Sequence, residues 1–258
     1  MNKFMAAAAR VTIICLVIYV LVCAVIYMLP GSFIYFPQSR IILKNEINLK
    51  LPTAAGDVLV STRPHSGKNA IIYFGGNAEE VSLNLPDFSS ALPRHALYLM
   101  HYRGFGGSAG KPTEAALISD ALALFDKVYA EHENVILFGR SLGTGIALQV
   151  ASLRPAAKLI LVTPYDSLID LASSKYPYIP VRWLLKDTYE SRRYAPKIHI
   201  PVLILAAEED SVVSREQTML LHSHLKPNLV SFNILPNTSH NSISESPRYL
   251  PLIQEFCK

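Results

Sequence analysis

Charged residues are scarce in this sequence. They make up 17% of its 258 residues, against about 25% in a typical soluble domain, while 50% of the residues are hydrophobic. A chain with so little charge and so much apolar surface is not intrinsically disordered. The length is enough for one large domain or two small ones, and the apolar excess indicates that part of the chain never faces water.

The sequence also lacks the concentrated basic surface that nucleic acid requires. Its net charge is +4, and two of the positive charges, Lys3 and Arg10, lie in the first ten residues. The densest basic group, between residues 182 and 193, is interrupted by Asp187 and Glu190. Mixed charge of this kind is typical of a solvated surface. We therefore expect no nucleic-acid partner.

Cysteine is the third scarcity. Cys15 and Cys23 lie in an apolar N-terminal run, and Cys257 is the residue before the last. Neither a Cys-x-x-Cys pair nor a Cys/His ligand spacing is present in the sequence. The pattern therefore predicts no metal site and no disulfide framework, and it leaves the redox compartment open.

A long apolar run occupies the N-terminus. Residues 11–29 form 19 consecutive positions without a charge, and the first thirty residues contain no acid. A helix needs about 20 apolar residues to cross a bilayer, so we predict a membrane anchor over residues 1–30. Two alternatives are a cleaved signal peptide and a buried helix. Signal peptides have apolar cores of only about 7–15 residues, and Tyr27, Met28 and Pro30 are poor neighbours for a cleavage site.

Positive charges flank the apolar run on both sides. Lys3 and Arg10 precede it, and Arg40, Lys44 and Lys50 follow it. The positive-inside rule therefore favours neither orientation. Because the N-terminal tail is short, we expect a single-pass membrane protein whose large domain lies outside the cytoplasm.

The remainder, residues 31–258, is predicted to be one α/β domain whose core begins near Ile42. Short apolar runs bounded by Gly, Pro, Asn or charged residues indicate buried strands, at residues 58–61, 71–74, 96–101, 135–138, 159–162, 202–206 and 229–235. Apolar residues at helical spacing indicate helices over 117–128, 141–152 and 247–256, and Thr113 suits the start of the first. The alternation predicts a mostly parallel sheet covered by helices on both faces.

One irregular segment interrupts the alternation. Residues 173–198 are rich in tyrosine and proline and lie between two predicted strands. One interpretation is a long connection with a small core of its own. The other is a small cap whose aromatic side chains line an apolar pocket.

A nucleophile motif follows the strand at 135–138. Residues 139–143 read Gly-Arg-Ser-Leu-Gly, and a helix-forming run comes next. A serine between a strand and a helix, with glycines on both sides, sits on a sharp turn that exposes its hydroxyl. The pattern therefore indicates Ser141 as a nucleophile, the alternative being an ordinary glycine-rich turn.

A serine nucleophile needs a base and a carboxylate that orients the base. In this context the chain order is Ser, then Asp or Glu, then His. Three acids follow the strand at 202–206, and we select Asp210, with Glu208 and Glu209 as alternatives. His240 lies in a polar loop after the last predicted strand, where catalytic groups of parallel sheets collect. The other seven histidines are interpreted as surface or structural residues.

An oxyanion hole needs two converging backbone N–H groups. One is expected from Leu142, the residue after the nucleophile. The other is expected from Asn77 in the Gly-Gly-Asn-Ala loop that follows the strand at 71–74. The alternative for that loop is a plain turn.

Several segments resemble the α/β-hydrolases. The chain is most similar to the small, often membrane-anchored serine hydrolases with an HGN-type oxyanion loop, a group related to protein depalmitoylases and lysophospholipid lipases. The similarity runs from about residue 42 to the C-terminus, and its markers are residues 73–78, 102–114, 138–148, 163–168, 201–213 and 239–241. It implies an α/β-hydrolase fold and a triad of Ser141, Asp210 and His240.

Three positions depart from the pattern of that group. Gly75 stands where the loop usually has histidine, His101 where an acid is common, and Ser214 where proline is common. None of these positions is a triad member or an oxyanion donor. They weaken the transfer of any relative's substrate preference.

These patterns together predict a serine hydrolase that cleaves a carboxylic ester or thioester through an acyl-enzyme. It needs no organic cofactor, and the membrane anchor favours a lipid-like or small-molecule ester. The alternatives are a serine peptidase of the same fold and a catalytically inactive membrane-anchored scaffold. The residues that bind the substrate and the oligomeric state are not predicted.

Overall fold

The fold is described from a computed structural model that covers residues 3–41 and 47–258. Ile42, the expected start of the domain core, and Lys44, one of the charges that flank the apolar run, lie outside the described residues. The boundary between an anchor over 1–30 and a domain over 31–258 stays a prediction.

Eight strands form a single sheet within the described residues. They are β1 (Ile47–Thr53), β2 (Gly56–Arg63), β3 (Asn69–Phe74), β4 (Ala96–Met100), β5 (Asn134–Arg140), β6 (Lys158–Val162), β7 (Val202–Ala207) and β8 (Val230–Leu235). Their spatial order is β1-β2-β4-β3-β5-β6-β7-β8. The β1–β2 and β2–β4 pairs are antiparallel and the remaining pairs are parallel, so the predicted mostly parallel sheet is confirmed.

Helices precede and connect these strands. The α-helices are α1 (Lys3–Met28), α2 (Gly31–Ile34), α3 (Leu85–Ala91), α4 (Glu114–Tyr129), α5 (Leu142–Leu153), α6 (Leu168–Lys175), α7 (Val181–Leu184), α8 (Arg215–His224) and α9 (Tyr249–Cys257). Short 3-10 helices lie at Val81–Asn84, Ser191–Arg193, Ala195–Lys197, Pro227–Leu229 and Ile243–Glu245. The three predicted helices correspond to α4, α5 and α9.

The core lies on both faces of the sheet. Successive side chains of a strand point to opposite faces, and in β3 Ile72 and Phe74 join one apolar cluster while Ile71 and Tyr73 join the other. Side chains of α4 and α5 cover the first face, and those of α3 and α9 cover the second. The predicted two-sided covering is therefore confirmed.

Elements with weak local signals were not predicted, namely β1, α3 and α8. The β1 strand pairs only with β2, so it lies at the edge of the sheet, and it contains Pro52 and Lys50, both common on edge strands. The α8 helix buries only Thr218 and Leu221. Neither element carries the apolar periodicity that identifies a core element from sequence.

The segment between β6 and β7 is built from α6, α7 and two 3-10 helices; residues 168–198 are called the cap segment below. It begins five residues before the predicted 173, because the Ser167 hydroxyl accepts a hydrogen bond from the Asp170 N–H and caps α6. The Glu114 carboxylate at the start of α4 accepts the N–H groups of Thr188 and Tyr189 at 2.8 and 3.0 Å. These contacts attach the cap segment to the rest of the domain.

The N-terminal helix α1 is longer than the uncharged run that predicted it. Residues Phe4–Met28 are long and apolar enough to cross a membrane, and the helix extends toward the N-terminus through four alanines, the strongest helix former. Such a helix fits a membrane anchor, although an N-terminal signal sequence satisfies the same criteria. The orientation across the membrane stays a prediction.

The start of α5 packs unusually close to the end of β3. In the parallel pairing of β3 with β5, Phe74 lies opposite Gly139. A methyl group added at Gly143, in the first turn of α5, would lie 2.0 Å from the carbonyl oxygen of Phe74. Only glycine allows this approach, because backbone atoms cannot move aside as a flexible side chain can.

We predict that Gly143→Ala lowers the free energy of unfolding by about 3 kcal/mol, the upper part of the range for overpacking. Gly31→Ala is the matched control, because its methyl would meet the Tyr35 ring at an ordinary 3.7 Å, and it should change stability by less than about 0.5 kcal/mol. Urea denaturation of both variants in detergent micelles, followed by circular dichroism, measures the difference. Equal stability of the two variants would contradict the packing argument.

Candidate active site

Ser141 lies at the tip of the turn between β5 and α5. Its backbone has φ 49° and ψ −117°. Residues other than glycine rarely adopt this conformation, and it is often found at functional sites. The flanking glycines make the turn possible, since a methyl group at Gly139 would lie 2.4 Å from the carbonyl oxygen of Gly143. The predicted strand–turn–helix context of Ser141 is therefore present.

The three residues of the predicted triad are hydrogen-bonded to one another. His240 Nε2 lies 2.9 Å from Ser141 Oγ, and His240 Nδ1 lies 2.8 Å from Asp210 Oδ2. Asp210 follows β7 and His240 follows β8. Because β5 to β8 are adjacent and parallel, their carboxyl ends share one edge of the sheet, which brings the three side chains together.

Asp210, rather than the neighbouring acids, faces the histidine. Its second oxygen, Oδ1, accepts the N–H groups of Val212 and Val213 at 2.9 and 2.7 Å, which fixes the carboxylate plane. Glu208 instead accepts the N–H of Asn237 at 2.9 Å, and Glu209 is exposed. Asp210 and His240 are both largely buried, with 7% and 8% of their side chains exposed.

The loop after β3 lies against Ser141. A methyl group added at Gly76 would lie 3.5 Å from Ser141 Cβ, so the loop backbone lies directly against the serine. Leu142 is the first residue of α5, where a helix has no internal acceptor for the N–H. Within the described residues, the N–H groups of Leu142 and Asn77 form no hydrogen bond to the protein, so both can donate to a ligand.

The Asn77 side chain has a structural contact that the sequence did not predict. Its Nδ2 donates to the carbonyl oxygen of Ile34, and its Oδ1 accepts the N–H of Phe36 at 3.0 Å. Ile34 and Phe36 belong to the short stretch that follows α1. The loop beside Ser141 is therefore held by the segment that connects the N-terminal helix to the sheet.

A buried ion pair joins the loops around Ser141. Glu79 Oε2 accepts the Gly76 N–H at 2.5 Å and pairs with Arg140 Nη1 at 3.1 Å, while its Oε1 accepts the Tyr73 hydroxyl at 2.6 Å. Arg140 Nη2 also donates to the carbonyl oxygen of His240 at 3.3 Å. Burial and the Glu79 carboxylate raise the pKa of Tyr73 well above its ordinary value. One pair of charges thus connects the turn at Ser141, the loop after β3 and the loop after β8.

A cavity of about 270 Å³ opens onto Ser141. Its walls come from the stretch after α1, from the cap segment and from the loop after β7, and they are mostly apolar. No Asp or Glu occurs among the described lining residues, which are Phe33, Ile34, Phe36, Asn77, Ser141, Leu142, Tyr165, Leu168, Leu171, Ala172, Lys175, Tyr176, Leu185, Val212 and Val213. The cavity suits an apolar group attached to a carbonyl.

Residues 3–41 and 47–258 contain no clustered metal ligands, and the Cys257 thiol is buried. No group of three His, Cys, Asp or Glu side chains in these ranges is arranged to hold a metal ion. Burial raises the pKa of the Cys257 thiol to about 12, so this thiol stays protonated and unreactive at neutral pH. Of Ser141 and Cys257, only Ser141 is therefore a candidate nucleophile.

Comparison with known proteins agrees with this architecture. A family model described as Hydrolase_4, serine aminopeptidase S33, matches residues 91–188, a range that includes Ser141 but ends before Asp210 and His240. An uncharacterized protein of Mycobacterium tuberculosis is 30% identical over 230 residues, which cover 81% of this chain and 79% of that protein. The chain belongs to the α/β-hydrolase family.

Other members of the family differ in how much of their length is shared. The lysophosphatidylserine lipase ABHD12 of Danio rerio is 29% identical over 227 residues, which cover 75% of this chain but only 59% of that protein. The esterase Pf2001 of Pyrococcus furiosus superposes with a TM-score of 0.66 at 15% identity, over 86% of this chain and 96% of the esterase. The structural match confirms the α/β-hydrolase fold that the sequence predicted.

We predict that Glu79→Gln lowers the free energy of unfolding by about 3 kcal/mol, because it leaves the largely buried Arg140 without its counter-charge. Glu133→Gln is the control. Glu133 pairs with Lys68 at 2.9 Å, but their side chains are 67% and 72% exposed, so its loss should cost less than about 1 kcal/mol. Thermal and urea unfolding of the two variants should separate them clearly. A loss in Glu79→Gln no larger than that in the control would show that the buried pair does not hold these loops.

Proposed function

We propose that this protein is a serine hydrolase that cleaves carboxylic ester or thioester bonds through an acyl-enzyme. The observation that carries the proposal is the chain of hydrogen bonds from Ser141 through His240 to Asp210 at the edge of an apolar cavity. Membership of the α/β-hydrolase family supports hydrolysis as the reaction class, and the esterase and lipase relatives support an ester substrate.

The proposed reaction begins with proton transfer from Ser141. The Asp210 carboxylate accepts the Nδ1–H of His240, which leaves Nε2 of the neutral ring free to accept the serine proton. The hydroxyl oxygen then attacks the carbonyl carbon of the ester or thioester. His240 becomes positively charged, Asp210 stabilises that charge, and the proton passes from Nε2 to the leaving alcohol or thiol as the acyl-enzyme forms.

The negative charge on the carbonyl oxygen is proposed to be stabilised by two backbone donors. The Leu142 N–H lies at the start of α5, where the helix dipole favours a negative charge. The Asn77 N–H comes from the loop that lies against Ser141. In the second half of the reaction, His240 takes a proton from water as the water oxygen attacks the acyl carbonyl carbon. His240 then gives this proton to Ser141 Oγ as the bond between Oγ and the acyl carbon breaks, which releases the acid and regenerates Ser141.

The lining of the cavity favours esters over peptides with a free N-terminus. An aminopeptidase must bind a protonated α-amino group, and burying such a charge without a partner is costly. The described lining residues provide no carboxylate for it, and the charged side chain among them, Lys175, would repel it. We therefore propose an ester or thioester substrate rather than a peptide that is bound by its free N-terminus.

The membrane is proposed to be the place where this activity occurs. Exposed Tyr27, Phe33 and Phe36 lie at the end of α1 and in the stretch after it, and aromatic residues concentrate at membrane–water interfaces. An anchor over residues 1–30 would hold the hydrolase domain, residues 31–258, against the bilayer. A lipid-like ester is then the substrate class with the shortest path to Ser141.

We predict that Ser141→Ala loses labelling by a fluorophosphonate probe and lowers hydrolysis of p-nitrophenyl butyrate to background, a fall of about 10⁶-fold. Ser223→Ala is the control, because Ser223 is exposed on α8 and bonds only the Leu220 carbonyl oxygen. It should be labelled like the wild type. Labelling of Ser141→Ala would identify another nucleophile, and a wild type that neither reacts with the probe nor cleaves the ester would indicate an inactive scaffold.

A second pair of variants tests the orienting carboxylate. Asp210→Asn should lower kcat by about 10⁴-fold, because an amide stabilises the wrong tautomer of His240 and not its charged form. Glu209→Gln, on the adjacent exposed position, should leave kcat within a factor of about two of the wild type. Steady-state hydrolysis of p-nitrophenyl butyrate measures both. If Glu209→Gln lowered kcat more than Asp210→Asn, the orienting carboxylate would be Glu209, and the choice of Asp210 would be wrong.

A further inference from the structure

A second apolar cavity lies between the N-terminal helix and the cap segment. It has a volume of about 330 Å³, within the range of roughly 300–1,000 Å³ that is usual for ligand sites. Its lining residues are Val22, Ile26, Phe33, Ala172, Tyr176, Ile179, Val181 and Leu185. Four of them, Phe33, Ala172, Tyr176 and Leu185, also line the cavity at Ser141. The two cavities therefore adjoin at these four side chains, and the space that they occupy between α1 and the serine is called the passage below.

One face of α1 forms a wall of this passage. Tyr19, Val22, Cys23 and Ile26 are spaced by three or four residues and so lie on the same side of the helix. The Tyr19 hydroxyl donates to the carbonyl oxygen of Tyr178 in the cap segment at 2.9 Å, and Ile26 is 9% exposed. Val22 is 45% exposed but lines the outer cavity, whereas Leu21 on another side of the helix is 59% exposed and is not among the lining residues.

The outer end of the passage lies where a bilayer would meet the domain. Tyr178 and Trp183 of the cap segment are 88% and 84% exposed, so this side of the cap segment presents two large aromatic rings to its surroundings. Tyr178 contacts α1 at Tyr19, nine residues before the end of the helix, or about 14 Å along its axis. The cap segment therefore lies beside the part of α1 that would enter the bilayer.

The chemistry of the passage identifies its occupant. The eight lining residues of the outer cavity carry no charge. Seven of their side chains are pure hydrocarbon, and the eighth, Tyr176, adds one hydroxyl group. A polar headgroup would lose its hydration there without gaining partners. A hydrocarbon chain would instead exchange the apolar interior of the bilayer for an equally apolar protein wall.

We propose that the substrate is a bilayer-resident ester whose long acyl chain lies in this passage, with the anchor helix α1 as part of its binding site. This rests on the proposed function, because it assumes that Ser141 attacks the carbonyl at the inner end. The chain enters sideways from the leaflet past Val22 and Ile26, passes Phe33 and Leu185, and places its carbonyl at Ser141. The leaving group remains on the aqueous side of the cap segment.

The test compares short and long acyl chains in a variant that narrows the passage. The full chain is reconstituted in phosphatidylcholine vesicles with p-nitrophenyl butyrate or p-nitrophenyl palmitate. Val22→Trp should lower the palmitate-to-butyrate ratio of kcat/KM by about tenfold, the effect expected when a chain loses apolar contacts in its pocket. Leu21→Trp, one residue away on α1 and exposed, is the matched control and should keep the wild-type ratio.

A second variant controls for the possibility that Val22→Trp changes how α1 inserts into the bilayer. Ala172→Leu narrows the junction of the two cavities from the cap segment and leaves α1 untouched, so it should lower the same ratio. The proposal is overturned if Val22→Trp and Ala172→Leu both keep the wild-type ratio, or if Leu21→Trp lowers it equally.

Failure of the proposed function gives a different result from failure of the passage. If the wild type hydrolyses neither ester and Ser141 does not react with the fluorophosphonate probe, the proposed hydrolase function is wrong. The proposed passage, which depends on it, is then wrong as well. If the wild type hydrolyses both esters through Ser141 but the two narrowing variants keep the wild-type palmitate-to-butyrate ratio, only the proposed passage is wrong.

Discussion

The close approach of α5 to the end of β3 is the constraint on which the site depends. Gly143 lies so near the Phe74 carbonyl that a single methyl group would overlap it. That contact holds Ser141 in its strained backbone conformation, and it also places the loop after β3 against the serine. Ser141 and the proposed oxyanion donors are thus brought together by one backbone contact, which side-chain interactions then stabilise.

The loops around the serine need further support, because they have few of the repeated hydrogen bonds that stabilise a strand or helix. The Glu79–Arg140 pair supplies it from within the domain, by bonding the Gly76 N–H on one side and the His240 carbonyl on the other. Since both side chains are mostly shielded from water, the attraction between them is weakened little by solvent. The pair therefore serves the geometry of the site rather than the surface charge of the protein.

The N-terminal helix is connected to the same site in two ways. The stretch after α1 bonds the Asn77 side chain through Ile34 and Phe36, and α1 itself packs on the cap segment through Tyr19. A helix that only tethered the domain would need neither contact. These contacts make the N-terminal segment part of the wall around Ser141, which links the proposed membrane anchor to the shape of the proposed substrate site.

The sequence alone determined the parts whose signals are local. Apolar runs bounded by turn residues identified seven of the strands, and the glycines around Ser141 identified the turn, because both depend on neighbouring residues only. Chain order and the carboxyl ends of predicted strands were enough to select Asp210 and His240. The edge strand β1 and the sparsely buried α8 were not predicted, because neither has apolar residues at the regular spacing of a strand or helix.

Only the tertiary structure decided which distant residues meet. Asn77 and Ile34 are 43 positions apart, Arg140 and Glu79 are 61 positions apart, and Tyr19 and Tyr178 are 159 positions apart. No residue pattern near either partner predicts such contacts, because they follow from the strand order and from the path of the chain over the sheet. The sequence therefore selected the proposed reacting groups, whereas the fold decided which residues surround them and which cavity opens onto them.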